Sequence, residues 1–302
     1  MKTLEAFDAA RKEESSKVYK DWGYKLKLNG NDYENYQTKE AFDEFILEMQ
    51  SKYETHYKAF NKGGGSELKE GKRPPKMASA ASSSRMMYLL ARDIEGFKFE
   101  EKRKTGIRGA ANLDGYYQTK NAEIYVEAKC REVFYTKYLS QSTIDAYKDV
   151  YRELGVEYKE RGIFIVDGKE LQLKHFDLKQ MICHLLGIAK YQLNHKEVQH
   201  KEVRFLYLTH KLTETERDFL SKKHALGKVE DCMKAEQDEE KCVEKNIGWR
   251  NLYEKILKYQ NKYKLSENKY KLSESEIDTM AKKFSFRMID DQMFEEQIER
   301  NN

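Results

Sequence analysis

Proline is nearly absent: this chain of 302 residues has two, Pro74 and Pro75, side by side. Proline ends helices and is kept out of central strands, so long unbroken elements are open to the sequence everywhere but there. Cysteine is scarce as well. Cys130, Cys183, Cys232 and Cys242 form no CxxC pair and no metal-ligand spacing, which argues against structural zinc and fits reduced thiols in the cytoplasm. No apolar run approaches the length that crosses a bilayer, and Met1-Lys2-Thr3-Leu4-Glu5 lacks the apolar core of a signal peptide. A cytoplasmic protein with no membrane partner is expected. Neither sign of charge dominates: 56 Lys and Arg against 52 Asp and Glu leave +4, so any basic site must be local.

Aromatic residues are plentiful. At 12%, with 21 Tyr and 14 Phe, they exclude a largely unfolded chain, while 36% charged residues and a mean hydropathy of −0.92 point to long solvated helices. Leu4 to Tyr19 and Lys39 to Phe60 carry apolar residues at helical spacing, with Phe42, Phe45, Ile46, Met49 and Tyr53 on one face. Asn29-Gly30-Asn31-Asp32 breaks the chain between them, and Gly63-Gly64-Gly65-Ser66 through Pro75 makes a connector. The expected organisation is a helical arm over 1–62, a linker over 63–76, a core over 77–210 and a helical C-terminal region over 211–302. Within the core, helices are expected over Met77–Asp93, Ser140–Leu154 and Phe176–Asn194, the last capped by Asp177. Gly162–Gly168 and Val203–Leu208 read as strands. Alternating strands and helices make the core α/β. Beyond it, Thr213-Glu214-Thr215-Glu216 reads as a capping box, and Asn261–Glu267 is repeated at once as Asn268–Glu274. A single heptad duplication is too short to make a coiled coil.

The chain is organised around Phe97 to Cys130, which reads as three strands. In the third, Ile124, Val126 and Ala128 take one face while Tyr125, Glu127 and Lys129 take the other. If the second strand pairs with it across Gln118-Thr119-Lys120-Asn121, Asp114 comes within reach of Glu127. Such a carboxylate pair can hold a hard divalent cation. Lys129 beside it can orient an attacking water and stabilise charge on a phosphate. Glu101 shares its strand face with Phe97 and Phe99, and an acid on an apolar face asks for a partner or a metal; a bulge would exchange it with Glu100. The triplet acid-x-Lys alone carries no information, since it recurs at Glu67, Glu100, Asp177 and elsewhere. Its setting in an alternating apolar strand distinguishes Glu127.

Asp114 followed by Glu127-Ala128-Lys129 resembles the PD-(D/E)xK signature of restriction-endonuclease-like nucleases, with Leu113 where that signature has proline. With Ser82-Ser83-Ser84-Arg85 upstream, the stretch is similar to a group of bacterial restriction endonucleases. The resemblance covers the central third to half of the chain. It implies a restriction-endonuclease-like mixed sheet flanked by helices, here with helical N- and C-terminal extensions. It also implies a magnesium-dependent endonuclease acting on double-stranded DNA in restriction or phage defence, with manganese able to replace magnesium. Asp114 and Glu127 would be metal ligands, Lys129 the water-orienting cation and Glu101 a further acid. Gln180 and His184, four apart on one helix face, would assist. Lys102, Arg103, Lys104 and Arg108, together with Arg85, would contact phosphates. Cutting both strands would favour a homodimer. The rival expectations are a DNA repair or recombination nuclease, and a non-catalytic DNA-binding or assembly protein of the same fold.

Overall fold

In a computed structural model the chain is α/β, with a mixed five-stranded sheet flanked by helices. The structure describes residues 24–28, 31–36, 39–62, 67–69, 75–79, 82–107, 109–130, 141–160, 162–222, 224–263 and 271–299. The expected helix at Leu4–Tyr19, the glycine run, Arg108 and half of the heptad duplication lie outside them. The elements are β1 (Tyr24–Leu28), β2 (Asn31–Tyr36), α1 (Lys39–Lys52), α2 (Glu54–Lys62), α3 (Ser83–Ala91), β3 (Lys98–Lys104), β4 (Ala110–Gln118) and β5 (Ala122–Lys129). There follow α4 (Gln141–Leu154), β6 (Val156–Glu160), β7 (Ile163–Val166), β8 (Lys169–Gln172), α5 (Leu178–Asn194), α6 (Lys196–Gln199) and β9 (Glu202–Thr209). Last come α7 (Glu214–Lys222), α8 (Leu226–Asn246), α9 (Trp249–Tyr263), α10 (Glu274–Lys282), β10 (Phe284–Asp290) and α11 (Phe294–Glu299).

The main sheet runs β10-β9-β5-β4-β3. β3, β4 and β5 pair antiparallel, and β5, β9 and β10 pair parallel. β5 is central and buried along its whole length. Each face has its own core. Ile124, Val126 and Ala128 pack with Met49, Met87 and Tyr88 from α1 and α3; Tyr125, Phe205 and Tyr207 pack with α5, α4 and α9.

Three expectations are corrected. The C-terminal region is not only helical, because it contributes β10 to the edge of the main sheet in register with β9. The signal is the alternation Phe284, Phe286, Met288, and Phe286 stacks between Phe205 and Trp249 at centroid distances of 5.7 and 4.1 Å. The N-terminal arm is not only helical either, since β1 and β2 form an antiparallel hairpin. In the sequence, the Asn-Gly pair at 29–30 is a strong hairpin signal. Met77–Asp93 also divides, into a 3-10 turn at Lys76–Ala78 and α3, whose N-cap Ser82 accepts the Arg85 N–H.

The helical arm docks through aromatics. His56 of α2 lies edge-on to Phe99 at 4.8 Å and stacks on Tyr53 at 5.6 Å, with Nδ1 buried and without a hydrogen-bond partner. Burial lowers its pKa below the ordinary 6.5. The unfolded chain therefore takes up the proton first on acidification, so the neutral ring's contribution is complete above about pH 6.5 and declines below it. His56→Phe should flatten the loss of urea stability between about pH 6.5 and pH 5. An equally steep loss in the variant would assign the acid sensitivity to other groups.

Candidate active site

The site forms where β4 parts from β5. Their ladder ends at Gly115 and Val126. Two residues on, the Ala128 amide donates to Oδ2 of Asp114 at 2.7 Å rather than to a backbone carbonyl. The carboxylate thus replaces a ladder bond and sits beside Glu127 and Lys129.

Glu127 is the hub. Its Oε1 accepts from Nζ of Lys129 at 2.5 Å and from Nε2 of Gln180 at 2.5 Å, while Gln180 Oε1 accepts from the same ammonium at 2.9 Å. Nε2 of His184 stands 3.0 Å from Glu127 Oε2. The helix that brings these two residues is positioned as its sequence implies: the Asp177 carboxylate caps α5 by accepting the Gln180 N–H at 2.9 Å, and a spacing of four puts Gln180 and His184 on one face. Glu127, Lys129 and His184 are 2%, 7% and 2% exposed, so this is a buried charge network in which each group depends on the others.

Electrostatics split the acids. Burial alone would push Glu127 up, but the charges of Lys129 and His184 outweigh it and hold the carboxyl down to about 2. Asp114 goes the other way, raised well above its ordinary value by desolvation first and by the Glu127 charge second. Opposed carboxyls of this kind occur at acid–base and metal sites, and in structural ion-pair networks as well.

Glu101 is not among them, because its carboxylate pairs with Arg103 at 2.6 Å. Glu100 takes that place. Phe99 pairs with Gly115 and Glu101 with Leu113, so Glu100 stands across from Asp114. Its φ of +52° is a left-handed conformation that costs a non-glycine residue about 1–3 kcal/mol. There the strand changes parity: Phe99 packs toward α1–α3, whereas Arg103 lies over Tyr116, Tyr125 and Tyr191 on the other face. β4 switches at the opposite position, Leu113 facing α5 and Tyr117 facing α3. Burial, then the nearby Glu67 charge, raise Glu100 to about 7.

The cations expected to bind phosphate divide in the same way. Lys102 and Lys104 are exposed. Arg103 is not, its guanidinium lying 3.6 Å from the Tyr191 ring centroid. Arg85 is also interior, 3% exposed, donating to the Met77 carbonyl at 3.3 Å and lying over Phe45. Both arginines hold the fold together, so of the expected phosphate-binding cations among the described residues only Lys102 and Lys104 lie exposed.

Among the described residues no three His, Cys, Asp or Glu side chains form a metal cage. The donor set nevertheless suits a hard cation: Asp114, Glu127 and Glu100 offer carboxylate oxygens only, and Glu127 Oε2 is buried without an aligned hydrogen bond. Magnesium is commonly held by one or two carboxylates with waters completing its shell. Comparison of the chain with protein-family models, with curated proteins and with solved structures finds no match to any of them.

Proposed function

We propose that the chain is a metal-dependent nuclease that hydrolyses phosphodiester bonds in DNA on a restriction-endonuclease-like sheet. The observation that supports it most is the set of bonds by which Lys129 and Gln180 meet on one oxygen of Glu127, with Asp114 tied to the adjoining amide. A magnesium or manganese ion bound by Asp114 and Glu127, with Glu100 opposite, would supply Lewis acidity and an acidified water. The Lys129 ammonium stabilises negative charge developing on the phosphate and orients the attacking oxygen. Gln180 bridges Lys129 and Glu127 and so fixes their spacing. His184 holds Glu127 from the helix side. Lys102 and Lys104, on the exposed edge strand, contact the DNA backbone without reading sequence.

Incubating the protein with plasmid and short duplexes, with magnesium or with EDTA, tests this reading directly: cleavage is expected only with the metal. Asp114→Asn and Glu127→Gln should each weaken magnesium binding in calorimetry by about tenfold or more. Unchanged affinity in both would put the cation elsewhere. Restriction or phage defence is the role placed first and repair or recombination second, acting on duplex DNA as a homodimer because two strands need two centres. One observation favours a non-catalytic DNA-binding or assembly protein: the Lys129 ammonium is taken up by Gln180 Oε1 at 2.9 Å as well as by Glu127, so it is held within the fold. Binding of duplex without cleavage in any divalent metal would select that second reading.

A further inference from the structure

Beyond the site, one buried polar cluster touches the backbone of Lys129. The His210 N–H donates to the Lys129 carbonyl at 3.2 Å, continuing the parallel pairing that sets Lys129 beside Thr209. The ring of His210 lies between two carboxylates, Nδ1 at 2.8 Å from Asp291 Oδ2 and Nε2 at 2.8 Å from Glu216 Oε2. His210 is 8% exposed and Glu216 1%. Each carboxylate is anchored in turn. Glu216, in the first turn of α7, accepts the N–H and the hydroxyl of Thr213 at 2.9 and 3.1 Å. Asp291, just past β10, accepts the Lys211 N–H at 3.2 Å and donates its own to the Thr209 carbonyl at 3.1 Å. Because Nδ1 and Nε2 face opposite ways, these groups form a chain of bonds rather than a cage around an ion.

We propose that His210 is a positioning residue for Lys129: clamped between Glu216 and Asp291, it locks the common end of β5, β9 and β10. The strands need such a lock. Lys129 is the last residue of β5, and a strand end frays unless something ties it. A drift of about 1 Å at a catalytic group can cost 10²-fold in rate. The clamp also explains why α7 and β10, which contribute no side chain to the site, are fastened to the strand end that carries the lysine. The kinetic consequence rests on the nuclease reading; the clamp itself does not.

Three substitutions separate the bonds. Asparagine reproduces the Nδ1 position and keeps the bond to Asp291, glutamine reproduces Nε2 and keeps the bond to Glu216, and alanine keeps neither. Hydrogen exchange on the full chain, without metal or DNA, should show the amides at 129–130 and 209–211 opening about tenfold or more faster in His210→Ala, with α5 unchanged. His210→Asn and His210→Gln should lie between, and they carry the test if the alanine variant does not fold. Single-turnover cleavage should fall in the same order, about tenfold for alanine, with KM for duplex DNA unchanged. Unchanged exchange at those amides overturns the proposal, and so does acceleration spread evenly over the sheet and α5. If the wild type does not cleave DNA, the nuclease reading fails while the exchange measurement still decides the clamp.

Discussion

Lys129→Met should abolish cleavage, by about 10²–10⁴-fold if the ammonium assists proton transfer, and should destabilise the protein as well. The lysine is 7% exposed and bonded to Glu127 at 2.5 Å. Removing one partner of a buried ion pair costs about 3–5 kcal/mol, chiefly because the other charge stays buried. Glu127 keeps His184 and Gln180 in the variant, so the lower end of that range applies. A sign follows for pH. In the wild type Glu127 is held below its ordinary value of 4.5, so its stabilisation is present above that value and is lost as pH falls toward about 2. Without Lys129 the largest influence holding the carboxyl down is gone, so burial lifts it relative to the wild type and acidification costs the variant less. The stability gap between the two, measured by urea denaturation, should narrow from about pH 7 to pH 5. Glu127→Gln combined with Lys129→Met should recover most of the lost stability and none of the activity. A double variant no more stable than the single one would refute the coupling of these charges.

The same network shows what the sequence could say. Alternation along Ile124 to Lys129 put Glu127 and Lys129 on one face, and the Asp177 cap with a spacing of four put Gln180 and His184 on one side of α5. These are local periodicities, and the structure joins all four side chains. Glu100 was hidden because the choice between it and Glu101 turns on a left-handed residue that is not glycine, which no propensity marks. Arg85 and Arg103 were misread for a related reason. Their aromatic partners, Phe45 and Tyr191, come from distant parts of the chain, and a run such as Lys102-Arg103-Lys104 does not show which member turns inward. β10 was legible in principle, its alternation outweighed by the helical pattern around it. The His210 clamp was not, since it needs a capping residue of α7 and the turn after β10 to meet.

Gly187→Val should be the most damaging single change on α5. A Cβ at Gly187 would lie 2.8 Å from the Cβ atoms of both Ala111 and Arg103 and 3.0 Å from the Arg103 carbonyl oxygen. These are backbone-fixed atoms of β3 and β4, so the helix itself must move. Glycine within a helix costs about 1 kcal/mol relative to alanine, and at this position the close approach of helix to sheet offsets it. Gly187→Ala therefore sets a gain of about 1 kcal/mol in propensity against about 1–3 kcal/mol of overpacking. A modest net loss is expected. Valine adds branched bulk and should cost several kcal/mol in all, read as a fall in the urea midpoint. The damage reaches the site because His184 lies nearly one turn upstream and Gln180 two, so lifting the helix draws both from Glu127, and cleavage should fall further than stability alone explains. Ala111→Gly should partly rescue Gly187→Ala, since it removes one of the two Cβ contacts and leaves that with Arg103. A Gly187→Ala protein more stable than wild type would mean that α5 can slide on the sheet, and that its height does not set the positions of Gln180 and His184.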